Sequence, residues 1–225
     1  LGDQGVNNPA LDKEISAATS LSTLEDLYLP YKKKRSTKAD EARSKGLEPL
    51  SKIILTKPKP YVLQEIKRLA KGSLSKEEIV LGAQHILAER FAERIGFRIR
   101  LRKSIEGGEL YSKKSSKALS EEKTQVYRDY FDWKEPLSRM PSHRMLAITR
   151  GSNEGVLRVK IQIEDKRIIL KMCEQIGRGK DLDMSLIEPA VKDAYKRLLF
   201  PAMEKEVLKS AKEKADQTAI KVFSG

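Results

Sequence analysis

The sequence predicts a mainly α-helical protein, a multi-helix scaffold with one small β-hairpin near residues 145–163. Three observations point to this. Helix formers (Lys, Glu, Leu, Ala, Ile) dominate the composition. Apolar residues recur at spacings of three and four behind helix-capping sequences. In one region the period shifts toward two.

The elements follow in chain order. Asn8-Pro9 reads as a cap followed by Pro in a first helical turn. Ser22-Thr23-Leu24-Glu25 and Ser75-Lys76-Glu77-Glu78 match capping boxes. Behind the second box, Ile79, Ala83, Ile86, Leu87, Phe91 and Ile95 form an apolar stripe, with Gly96 as its stop. Thr37-Lys38-Ala39-Asp40 starts another helix and Gly46 ends it. Residues 107–120, with Gly107-Gly108 and a Ser/Lys run, read as an exposed loop. A short helix over Glu121–Tyr130 follows.

The period changes at Met145-Leu146-Ala147-Ile148-Thr149, a short apolar run. Gly151 to Gly155 is turn chemistry, and Leu157 to Ile163 alternates, so a hairpin is expected that packs on helices. Gly177 to Lys180 is a loop. Ser185-Leu186-Ile187-Glu188 is a further capping box, with Ile187, Val191, Ala194 and Leu198 as its stripe. Pro201 should break or bend the path. A long helix then carries Met203, Val207, Ala211, Ala215, Ala219 and Val222 on one face. The chain of 225 residues divides at this level into a helical region, 1–144, and a hairpin followed by long helices, 145–225.

Charge narrows the function. The formal net charge is +13, which favours polyanions: nucleic acid, an anionic membrane face or an acidic protein. The surplus is clustered. Residues 31–45 hold seven basic and two acidic side chains, residues 52–71 six and one, and residues 98–117 seven and two. No stretch approaches the roughly 18 apolar residues of a membrane span, and Leu1 to Asn8 lacks the basic end and apolar core of a secretion signal. The chain begins without Met, as a piece of a longer protein would.

Recognisable catalytic chemistry is sparse. The two histidines, His85 and His143, are far apart, and Cys173 has no neighbouring ligand, so neither a zinc site nor a disulfide is expected. The single cysteine fits a reducing compartment. Gly177-Arg178-Gly179-Lys180 is followed by Asp181 and fails the phosphate-loop pattern. Neither a cofactor nor a catalytic residue is predicted.

The stretch from Leu24 to Ala39, Leu-Glu-Asp-Leu-Tyr-Leu-Pro-Tyr-Lys-Lys-Lys-Arg-Ser-Thr-Lys-Ala, sets a basic loop after a helix that Pro30 ends. Lys32, Lys33, Lys34, Arg35, Lys38 and Arg43 are the candidate nucleic-acid-binding residues, contacting phosphates, while Tyr28 and Tyr31 either stack on bases or pack between helices. This stretch resembles the Tex family of bacterial transcription accessory proteins. Gly46-Leu47-Glu48-Pro49-Leu50, Gly82 to Glu89, Tyr127 to Asp132, Pro141 to Arg144, Arg150-Gly151, Glu154 to Arg158 and Asp193 to Leu199 continue the resemblance in order. It implies the N-terminal region of such a protein: helical, with a helix-turn-helix-like part, cytoplasmic, acting in transcription, and related to a eukaryotic elongation factor. It also implies that a nuclease-like domain, helix-hairpin-helix elements and an RNA-binding domain follow in the family.

Two functions compete. One is a non-enzymatic module that binds RNA or DNA through basic surfaces. The other is a protein–protein scaffold that docks RNA polymerase, other transcription machinery or those further domains. Salt dependence separates them, because phosphate contacts weaken steeply with salt and apolar docking does not.

Overall fold

A computed structural model describes residues 9–18, 21–29, 36–116 and 121–223. Among these, helices come in the order α1 (Pro9–Ser16), α2 (Leu21–Tyr28), α3 (Lys38–Ser44), α4 (Glu48–Ile54), α5 (Lys59–Leu69), α6 (Lys76–Ala92) and α7 (Ile95–Glu106). Strand β1 (Glu109–Lys114), helix α8 (Glu121–Gln125), strand β2 (Trp133–Pro136), helix α9 (Ser142–Asn153) and strand β3 (Leu157–Gln162) follow. Helices α10 (Asp165–Gly177), α11 (Met184–Asp193) and α12 (Phe200–Phe223) complete the described chain. The protein is mainly α, with one small antiparallel sheet.

Contacts divide the chain into two units: residues 1–99 with 166–199, and residues 100–165 with 200–225. The 144/145 division read from the sequence lies inside α9.

The first unit is built around α6. Ser75 and Glu78 form the capping box the sequence predicts, with Glu78 N donating to Ser75 Oγ and Ser75 N to Glu78 Oε2. The predicted stripe is buried from Ile79 to Phe91, and Gly82, Ala88 and Ala92 are buried as well. Burial thus reaches around most of the helix because α3, α4, α5 and α11 all pack on it. The helix ends before Gly96, which sits in α7. Helix α3 starts with a capping box at Thr37 and Asp40. It ends on Gly46 at φ 75°, where Gly46 N donates to Arg43 O and Leu47 N to Ala42 O. A left-handed residue closes a helix this way, and glycine adopts it without a Cβ penalty. Helix α11 is capped by Asp183, whose carboxylate accepts from Ser185 N and Ser185 Oγ, and not by the box expected at Ser185.

The second unit corrects the hairpin. Met145 to Thr149 is helical, inside α9, and Gly155 (φ 76°) closes that helix, with Val156 N donating to Gly151 O. The turn chemistry is a helix end, not a hairpin turn. A short apolar run does not by itself separate strand from helix. Strand β3 is present as expected, but its partner is β1, in the segment read as an exposed loop. The sheet order is β2-β1-β3. Leu110, Met145, Ile148, Leu157 and Ala215 form a core with Tyr127 and Val156, so α9, β1, β3 and α12 share it.

The helical path from α11 to α12 passes through a π turn at Ala194–Leu199, immediately before Pro201. Proline lacks the N–H for the i−4 bond and crowds that carbonyl. A widened turn accommodates it without ending the path. On α12, Met203, Val207 and Ala215 are buried, as the predicted stripe requires, while the side chain of Val222 lies outside the described residues.

Candidate nucleic-acid interface

Of the six residues proposed from the sequence, Lys32, Lys33, Lys34 and Arg35 lie outside the described residues, as do Pro30 and Tyr31. Lys38 and Arg43 are on α3 and have different surroundings. Lys38 is exposed. Arg43 is held by three carboxylates: Glu89 at 2.8 Å, Asp40 at 2.9 Å and Glu48 at 3.3 Å. Arg90 also reaches Glu48, at 3.3 Å. Hydrogen bonds from the Thr37 hydroxyl and backbone hold the Asp40 carboxyl below its usual range. Arg43 therefore braces α3 to α6 through this network. On the same unit, burial pushes the His85 imidazole below its ordinary value, with Lys38 and Arg197 adding to the effect against Asp193 and Glu41.

The motif at Leu24 to Ala39 also has a structural part. Asp26, 1% exposed, pairs with the Arg98 guanidinium, 9% exposed. Sequence spacing could not show this pair, whose members lie 72 residues apart. Leu27 is buried beside Asp26 in the chain, while Tyr28 stays exposed.

The 52–71 cluster folds onto α4 and α5. Val62 and Ile66 face the core, which turns Tyr61 (59% exposed) and Leu63 outward. A groove of about 650 Å³ runs along this surface, lined by Ile53, Lys57, Tyr61, Gln64, Glu65, Lys67, Arg68 and Lys71. Glu65 binds Arg68 at 2.6 Å. Lys57, Lys67 and Lys71 are exposed and pair with no described carboxylate. This places solvated cations around an exposed aromatic ring, the combination that grips phosphates and stacks on bases.

The 98–117 cluster separates into different roles. Arg98 is buried against Asp26, and Arg102 is bound to Glu206 at 2.7 and 3.2 Å. Lys113 and Lys114 end β1 and are exposed. The sheet adds Lys134 on β2 and Arg158 and Lys160 on β3, all exposed. Linear charge counting missed this group, because its members are distant in sequence and meet only through strand pairing. The alternation Leu157, Arg158, Val159, Lys160, Ile161 was the available signal.

Among the described residues, no group of three or more His, Cys, Asp or Glu side chains is placed to hold a metal ion. Cys173 is buried, and burial raises its thiol above the ordinary value. Among the described residues no helix is long and apolar enough to cross a membrane.

Comparison with known proteins agrees with the resemblance. Residues 57–223 match the family model described as Tex central region-like. Over 99% of its length the chain is 36% identical to the transcriptional accessory protein Tex of Neisseria gonorrhoeae. It is 35% identical over its whole length to protein YhgF of Escherichia coli. It is also 28% identical, over 98% of its length, to the human S1 RNA-binding domain-containing protein 1. The chain spans about 30% of the length of the bacterial relatives and 24% of the human one. Since the family model covers most of the chain, with helices α5 to α12 and the whole sheet inside it, the chain belongs to the Tex family.

Proposed function

We propose that this chain is a non-enzymatic, cytoplasmic module of a transcription accessory protein that contacts RNA or DNA through phosphates. The observation that carries this reading is the α4–α5 groove, where Lys57, Lys67 and Lys71 surround the exposed ring of Tyr61 without described carboxylate partners. The names of the relatives support a role in transcription and a link to RNA. In this reading exposed Lys38 adds a cation, Lys32, Lys33, Lys34 and Arg35, outside the described residues, stay candidate phosphate contacts, and Arg43 reaches a phosphate only by leaving its ion pairs with Asp40, Glu48 and Glu89. The helix-turn-helix-like part is assigned to α3 and α4, joined by a three-residue turn containing Gly46.

Fluorescence titrations with RNA and duplex DNA at several salt concentrations test the proposal. The variant Lys57→Ser/Lys67→Ser/Lys71→Ser should bind more weakly, without regard to base sequence. Its log–log salt slope should flatten by about 0.9 for each duplex phosphate that no longer meets a cation. Each surface change should alter stability by no more than ~0.5 kcal/mol. Equal affinity and slope for wild type and variant would defeat the reading of this groove.

A second reading, a scaffold docking RNA polymerase or further domains, draws on Ile220, 64% exposed near the end of α12. Binding of that kind should persist at high salt.

A further inference from the structure

We infer that the outer face of the β2-β1-β3 sheet binds single-stranded nucleic acid, with Tyr111 as the base-stacking platform and Lys113, Arg158 and Lys160 as phosphate contacts. The inference takes its ligand class from the function proposed above, but concerns a different surface.

Strand pairing builds the face. Leu110 and Ser112 of β1 are buried, so Tyr111 and Lys113 point the other way. Tyr111 is opposite Lys134 on β2 and Lys160 on β3, and Lys113 is opposite Arg158. Directly paired residues share a face. Four cations therefore surround one tyrosine on a surface only three strands wide.

The carboxylates present do not neutralise it. Glu109 takes Lys134 at 2.7 Å. Asp132 accepts the Tyr111 hydroxyl at 3.2 Å, fixing the ring by its far end. Arg158 and Lys160 form no ion pair with a described residue. Lys113 has Nζ 4.9 Å from the Tyr111 ring centroid, so the cation already rests on the aromatic surface that a base would take. On base entry, that amine is freed for the adjacent phosphate.

Two arguments favour a ligand over mere solvation. Like charges directly opposite each other across strands destabilise a sheet, yet Lys113 and Arg158 are such a pair. Cations on edge strands guard against unwanted strand pairing, which accounts for Lys134 on β2 and for Arg158 and Lys160 on β3, but Tyr111 and Lys113 lie on the central strand, where no edge needs guarding. The partly exposed ring favours single strands, because bases in a duplex already have both faces stacked.

The test titrates the 225-residue chain with fluorescein-labelled oligo-U, oligo-dT and a mixed-sequence DNA duplex. Tyr111→Leu should weaken both single strands by roughly 5- to 150-fold, the range for removing one base stack. It should leave the duplex within about twofold, and Tyr111→Phe should retain single-strand affinity. Lys113→Ser/Arg158→Ser should reduce the single-strand salt slope by about 1.4, at ~0.7 per phosphate. It should also melt no lower than wild type, because a repulsive pair is removed. Equal weakening of duplex and single-strand binding in Tyr111→Leu, or no weakening of either, overturns the inference. If wild type binds and only the Lys57/Lys67/Lys71 variant weakens, the sheet proposal fails and the proposed function stands. If wild type binds no oligonucleotide, both fail.

Discussion

Asp26 carries a negative charge at a position 1% exposed, and Arg98 opposite it is nearly as buried. Removing one member of such a pair leaves the other charge without compensation, at a cost of about 3–5 kcal/mol. Asp26→Ala should therefore lower stability by that amount in urea unfolding, and a decrease below ~1 kcal/mol would show that the pair is not a brace. The sequence marked the segment around Asp26 through its resemblance, yet assigned its weight to the cations and tyrosines. The reason is physical: a long-range ion pair leaves no periodic trace. Arg43 teaches the same lesson. Its charge was legible, but its partners Glu48 and Glu89 come from other helices, so its bracing role was not.

Legibility at the scale of elements followed the local physics. Helices α3 and α6 start where their capping boxes stand, because a cap is made by residues three apart. Strand β1 was missed because its residues, Glu109 to Lys114, look polar and follow two glycines. Only one face of β1 is buried, and Leu110 and Ser112 supply it. Gly108 makes the strand's entry possible. A Cβ there would lie 2.7 Å from Ile163 Cγ2, 2.8 Å from Ile161 Cγ2 and 2.9 Å from the Gln162 carbonyl oxygen. The backbone oxygen cannot step aside as a side-chain end can. Gly108→Ala should destabilise the sheet unit by roughly 1–3 kcal/mol, the usual cost of overpacking. Hydrogen exchange at β1 and β3 amides would register the change, and unaltered protection would refute it.

At the scale of the whole molecule, the chain leaves the first unit after residue 99, returns at 166 and leaves again after 199. No local pattern announces such crossings, which explains why a single division was all that the sequence suggested. Helix α12 packs on α9, its Glu204 accepts from Ile161 N at 2.7 Å, and its Ala215 enters the core with Leu110 and Leu157. A chain ending at Leu199 should keep exchange protection in α6 and lose it across β1 and β3. Retained protection in those strands would show that the sheet needs no α12. The same dependence sets a timetable on the ribosome. Leu110 and Leu157 emerge well before Ala215, and at ~5–20 residues per second the wait after β3 is roughly 3–10 s. Throughout that interval α9 alone covers the inner side of the sheet and the surface that α12 will take stays bare, so this stretch of a nascent polypeptide is where a holdase would find an apolar foothold.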